Sequence, residues 1–328
     1  MPMAAHAFEI TLSGDSEFKY QTWSDDEVNT GGNNDSKMTN ESHIIISAEK
    51  TSDSGLTYGT YYRIEAEGLG ANGDDNLKED GHRLYVKGDF GQITLGGGAA
   101  GDTFYADVLD RMVNDEATSG VGLPGFGYFT AVANADETMS YHTPTLGGFK
   151  GGVSFYDAGG SSKADARELG LQYTAALMNG NVTLRYANGQ QDRATDTGDE
   201  TSAQSIGVDV TAGAFGFGVS NNTKETEDAA GASTSDISNT GFAASYQASD
   251  ALKLTLGVVS SEDEHDKAQT IEGDITAFAA DYTVAPGLTT GLTYSTWEGQ
   301  NTEEAANVAS DDGSQSGTYT VLYMKVSF

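Results

Sequence analysis

The chain has no cysteine, only 4 prolines, and 17 lysines and arginines against 49 aspartates and glutamates. Without cysteine there is no disulfide framework and no thiolate metal site. A formal net charge of −32 argues against a nucleic-acid partner, whose phosphates would be repelled rather than neutralised. No stretch approaches the run of about 18 apolar residues that a transmembrane helix requires. That absence says nothing about a membrane barrel, where every second residue faces water and the average hydropathy stays low. A disordered acidic chain would share the charge, but here Tyr, Phe, Val and Leu fall in regular alternation, which argues against disorder. The N-terminal residues 1–7 lack the apolar core of a secretion signal. Ala5-His6-Ala7 resembles the small-x-small end of one, so this segment is expected to be a short remnant before the first strand.

Alternation is the dominant feature of what is present. In 8–20, Phe8, Ile10, Leu12, Phe18 and Tyr20 alternate with Glu9, Thr11, Ser13, Glu17 and Lys19. Period two gives one apolar and one polar face, as in a half-wetted strand. The pattern recurs along the chain and ends in 318–328, giving about sixteen strands, an even number as single-chain membrane barrels have. The connections sort by length. Long polar ones are expected at 21–42, 68–81, 98–135, 157–167, 189–201, 223–239, 261–271 and 298–317, with tight turns between them. Asn179-Gly180 and Pro286-Gly287 supply turn chemistry on the tight side. Long loops on one rim and short turns on the other are the layout of a transmembrane barrel, whereas a β-sandwich has crossover connections. The predicted fold is all-β: a sixteen-stranded antiparallel transmembrane β-barrel forming one domain over 1–328. Aromatic residues in the apolar register, among them Phe8, Tyr20, Tyr58, Tyr62, Phe155, Tyr173, Tyr186, Phe215, Tyr246, Tyr282 and Phe328, are expected to form two interfacial girdles.

The segment 98–135 is the longest without alternation, and loops of this length within a compact array are usually functional. It carries Asp102, Asp107, Asp110, Asp115 and Glu116 around a helix-like core at 104–113. The expectation is that it folds into the barrel, packing on the wall through Phe104, Val108 and Met112 at helical spacing, and narrows a pore. On the lumen-facing register lie Lys19, Arg63, Arg83, Lys87 and Arg185, with Lys253 and Lys325 beside them. Arg63, Arg83 and Lys87 sit on neighbouring strands, close enough to build one basic patch.

The last strand, Thr318 to Phe328, places Leu322, Met324, Val326 and Phe328 on one face and ends in an aromatic residue. In this it resembles the Gram-negative general diffusion porins. Gly91-Gln92-Ile93-Thr94-Leu95-Gly96-Gly97 is similar to the family strand leading into the constricting loop, and Ser140 to Phe149 to the hairpin after it. Pro124-Gly125-Phe126-Gly127 matches part of a P-x-F-G-G motif, with Tyr128 in place of the second glycine. The resemblance implies a homotrimeric outer-membrane barrel whose C-terminal strand is read by the assembly machinery. It also implies passive diffusion of small hydrophilic solutes and ions, with loop acids facing a basic cluster across the constriction.

Acidic stretches at 25–27, 74–75, 225–228, 262–264 and 311–312 would concentrate cations at the mouth, so cation preference is expected. They can also hold Ca²⁺ or bridge through divalent ions to lipopolysaccharide, although no stretch has EF-hand spacing. None of the 5 histidines falls in a zinc-site spacing and no G-x-S-x-G elbow occurs, so neither an enzyme nor a resident metal is expected. His142 and Ser140 share one face without further support for catalysis. Two other readings remain in view. A substrate-selective channel would use the inward Tyr61, Tyr85 and Tyr323. A secreted calcium-binding acidic β protein would need tandem Gly-Gly-x-Gly-x-Asp nonapeptides, and none recur.

Overall fold

Alternation is cheapest to satisfy when one face meets hydrocarbon and the other meets water, and a sheet in hydrocarbon must close so that its backbone polar groups are paired. The computed structural model describes residues 8–25, 34–68, 77–96, 104–107, 109–114, 117, 137–157, 165–193, 198–265, 269–303 and 314–328. They form sixteen strands: β1 (Glu9–Asp25), β2 (Asn34–Thr51), β3 (Thr57–Gly68), β4 (Leu77–Gly88), β5 (Gly91–Gly96), β6 (Glu137–His142), β7 (Phe149–Asp157) and β8 (Ala166–Leu177) make the first half. The second half is β9 (Gly180–Gln191), β10 (Glu200–Ala212), β11 (Phe215–Glu227), β12 (Ser233–Gln247), β13 (Leu252–His265), β14 (Gln269–Ala285), β15 (Leu288–Glu303) and β16 (Ser314–Ser327). Each strand pairs antiparallel with its sequence neighbour, and β1 pairs with β16 to close the barrel. At the seam Gly14 and Phe328 exchange both backbone hydrogen bonds, each 3.0 Å, tying the chain's last residue to its first strand.

The burial pattern is inverted relative to a water-soluble sheet. Ser205, Ser220, Asn222, Thr255, Thr293 and Ser295 are buried, while Leu256, Phe242, Ile206 and Leu322 on the alternate face are half exposed. The apolar face therefore points outward to lipid and the polar face inward. Near the turn side the outward aromatics pair up: Phe8 with Tyr58 at 5.7 Å, Phe149 with Tyr173 at 4.4 Å, and Phe215 with Tyr246 at 5.1 Å between ring centroids. Amphipathic rings at this level are those of a lower girdle.

The loop lengths differ from the expectation at several places. Alternation predicts long loops at 223–239 and 261–271, but β11 and β12 are joined by 228–232, and β13 ends at His265 with β14 beginning at Gln269. Likewise β1 and β2 run to Asp25 and from Asn34, and β15 runs to Glu303. Above the hydrocarbon both faces are wet, so the side-chain alternation ends while the backbone ladder continues. The acidic stretch 262–264 is accordingly strand, with Asp263 turned inward and buried and Glu262 and Glu264 exposed. Residues 1–7 lie outside the described part of the chain.

Candidate functional site

Half of the inner wall is lined by small residues, and these make room for the long connection between β5 and β6. A side chain at Gly152 or Gly170 would collide with the Phe104 ring, one at Gly207 with Ala106, and one at Gly257 with Leu109 and Val113. The described part of the loop runs along this wall. Phe104 is buried against β6 to β8 and stacks on His142 at 5.5 Å. Leu109–Val113 forms a single wide helical turn of π type. Its Leu109 and Val113, followed by Ala117, pack against Ala243, Val259, Ile275, Ala277, Ala279 and Trp297 of β12 to β15. Burying such a cluster inside an otherwise polar lumen fixes the segment to one wall.

Polar groups complete the attachment. The Tyr105 hydroxyl donates to Glu168 at 2.7 Å, the Ala106 N–H to Ser205 Oγ at 2.8 Å, and Asn114 Nδ2 to Thr293 Oγ1 at 2.7 Å. Ser295 Oγ donates to the Ala117 carbonyl at 2.8 Å and Lys253 Nζ to that of Met112 at 3.0 Å. Arg111 donates to the Ala106 carbonyl at 2.7 Å and is ion-paired with Asp209 on β10, which Arg185 also reaches at 3.2 Å.

The opposite wall, from β16 through β1 to β4, carries long charged and aromatic side chains. Here the cations keep carboxylates beside them. Lys87 Nζ lies 2.7 Å from Glu49, Lys325 3.1 Å from Asp15, and Lys19 3.4 Å from Glu17. The Arg83 guanidinium lies over the Tyr61 ring at 4.3 Å, a cation–π arrangement. Arg63 Nη2 reaches His43 Nε2 at 2.5 Å. Tyr85 donates to Glu49 at 2.7 Å, and Tyr323 on β16 donates to Asp281 on β14 at 2.5 Å.

Of the basic residues expected at the constriction, Lys19, Arg63, Arg83 and Lys87 lie on β1, β3 and β4 of this wall but are spread along the strands, Arg63 pairing with Gly81, six positions along β4 from Lys87. Arg185 stands apart from them on β9, on the wall that holds the loop. Of the loop acids, Asp107 accepts the Leu109 N–H at 2.8 Å and so opens the helical turn. The backbone of Asp110 lies within that turn. Asp102, Asp115 and Glu116, the Asp110 side chain, Val108 and residues 118–136 lie outside the described residues. Of the wall contacts expected in the loop core, Phe104 packs on β6 to β8 and Met112 packs, partly buried, against the cluster formed by Leu109, Val113 and Ala117. Ser140 and His142 belong to the inner wall, His142 serving as the stacking partner of Phe104. The anchors Asp209, Ser205, Thr293, Ser295 and Glu168 escaped the sequence reading. Their one advance signal is the run of small inward residues on β7 to β15, which leaves space for something to lie on them.

A sequence model of the Gram-negative porins matches residues 1–302. A search of curated protein sequences returned no significant match. Among solved structures the fold is similar to outer-membrane expressed OmpT of Vibrio cholerae, with TM-score 0.71 and 14% identity over 99% of each chain. In vitro-folded OmpT in its trimer form gives 0.67 and 14%, covering 98% of this chain and 100% of that one. The anion-selective porin from Comamonas acidovorans gives 0.69 and 14%, with the same coverages of 98% and 100%.

Proposed function

This chain belongs to the Gram-negative porin family, which places it in the outer membrane as a transport protein rather than an enzyme, and on that footing we propose that it forms a cation-preferring pore. The pore is water-filled and passes small hydrophilic solutes and ions by passive diffusion. The observation that carries this reading is the asymmetry of the lumen: an anchored loop along one wall faces charged side chains on the other. Charge across the narrowest point orients water and polar solutes and disfavours apolar ones. The cation preference is supported by the carboxylates beside Lys19, Lys87 and Lys325, which offset the wall cations, and by the net charge of −32. Asp107, Asp110, Asp102, Asp115 and Glu116 are the proposed acidic side of the constriction. A porin of the same fold is anion-selective, so the charges and not the barrel set the sign. The trimer form of the similar OmpT supports a homotrimer, with outer-membrane lipid and lipopolysaccharide around it.

The test is a planar-bilayer recording of the purified protein in a KCl gradient. Stepwise ohmic conductance is expected, with a reversal potential on the K⁺ side. Replacing Glu49 by Gln uncovers Lys87 and is expected to move that potential toward Cl⁻. Absence of channels would overturn the pore, and a Cl⁻-side potential in the unaltered protein would overturn the cation preference alone.

A further inference from the structure

One cluster on the inner wall has a donor set that diffusion through a pore does not call for. Glu41 and His43 on β2 and Glu65 on β3 each offer one ligand atom, all within 4.8 Å of one another. His43 faces Glu65 across the ladder, and the two are only 6% and 5% exposed, so the wall holds them in place. We propose that these three side chains bind a divalent transition-metal cation of the zinc class.

The two nitrogens of His43 supply an independent observation. Nδ1 faces the Asp15 carboxylate at 3.4 Å. Nε2 lies 2.9 Å from Glu41 Oε1 and 2.5 Å from Arg63 Nη2. A proton on Nε2 suits Glu41 but sets two donors against each other at Arg63. Without that proton Nε2 accepts from Arg63 but turns its lone pair toward a carboxylate oxygen. A metal cation in the place of the guanidinium meets both demands, with Nε2 and Oε1 as ligands and the Nδ1 proton held by Asp15. A carboxylate behind a ligating histidine is the usual second partner that fixes the ring and strengthens its basicity.

The donor set selects the class of ion. One imidazole nitrogen with carboxylate oxygens suits zinc, cobalt or nickel, whereas calcium and magnesium take oxygen alone. Zinc bonds of about 2.0–2.2 Å put tetrahedral ligand atoms roughly 3.4 Å apart, so Glu41 Oε1 opens from 2.9 Å by about 0.5 Å while the Glu65 oxygen closes in by at most about 1.4 Å. Arg63 and Lys78, the latter 3.4 Å from Glu65 and half exposed, withdraw as they do so, and Lys325 stays on Asp15. A fourth position remains open to water from the lumen. The three ligands come from two strands, at i and i+2 on one and across the ladder on the other, so no linear motif announces them.

The experiment titrates the refolded full-length protein in detergent with Co²⁺ and follows visible absorption. One site per chain with the intense bands of low-coordinate cobalt, displaced by Zn²⁺, is expected. His43→Gln should abolish those bands, and Asp15→Asn should weaken binding about 10–100-fold. Arg63→Gln, which removes the competing cation, should tighten it. The heat-dependent gel mobility of a folded barrel is checked for each variant, and Glu65→Gln replaces His43→Gln if the latter does not fold. No intense band, or cobalt binding untouched by these ligand changes, would assign the metal to the acidic rim and overturn the site. The readout needs no membrane, so a conducting barrel without the bands faults the metal site alone, and a metal-binding barrel that does not conduct faults the pore alone.

Discussion

At Gly170 the space of a side chain is occupied by the Phe104 ring, from a residue 66 positions earlier in the chain. The glycine is needed there for close approach, not for an unusual backbone angle. Gly59 and Gly291 play a similar part under Tyr85 and Tyr323, whose rings cover the bare backbone opposite them. Gly170→Ala should force Phe104 off the wall at a cost of about 1–3 kcal/mol, typical of overpacking. The barrel should still fold, while single-channel traces become noisier and conductance shifts as the loop start comes loose. Traces and thermal unfolding identical to those of the parent would show that the ring is not held there. In the sequence, Gly170 reads only as a glycine interrupting a strand; the ring above it is invisible until the loop is placed.

Among the elements, the β11–β12 connection departs most from what alternation suggests. Thr223–Glu227 and Ser233–Asn239 are polar except for Ile237 yet pair as strands, with a register shift at Thr226/Glu227, and Asp228 closes the turn between them. Its carboxyl accepts the N–H groups of Ala232 at 2.9 Å and Ala230 at 2.8 Å, which, Ala232 foremost, hold its pKa below the usual carboxylate value of 3.8. A depressed folded pKa contributes stability at pH above the unfolded value, and that contribution is lost as pH falls through the folded one. The turn should therefore be ordered at neutral pH and loosen only below about pH 4. Amide exchange at Ala230 and Ala232 should show protection falling on acidification in the parent. In Asp228→Asn that protection should no longer respond to pH. A parent profile flat through the acid range would contradict the assignment. The loop attachment obeys different rules again: Leu109, Val113 and Ala117 are an apolar stripe, but their partners Val259, Ile275 and Trp297 are inward residues that period two alone would assign to water.

For the whole molecule one choice of register governs every inward and outward assignment, since a slip of one residue exchanges the two faces. Leu84 on β4 is 58% exposed on the lipid face, flanked in sequence by the inward Arg83 and Tyr85. Leu84→Arg should destabilise the barrel in lipid vesicles by about 2–4 kcal/mol near the midplane, measured by denaturant unfolding. A negligible cost would mean that Arg83, Tyr85 and Lys87 face lipid and that the proposed lumen is inside out.

The period of the chain by itself determined the strand count, the inward and outward faces, and the bounds of the longest segment without alternation, because side-chain direction in a strand depends only on position along it. Composition likewise set the acidic character of the whole. Three matters were left to the tertiary structure. It decided that the described part of the loop, around Phe104 and Leu109–Val113, lies on the wall from β6 to β15. It separated Arg185 from Arg63, Arg83 and Lys87 by pairing it with Asp209, and it set Glu41, His43 and Glu65 together beside Asp15. Each is a contact between strands or across the lumen, and no local periodicity reports which residues meet until closure of the sheet fixes where every inward side chain points.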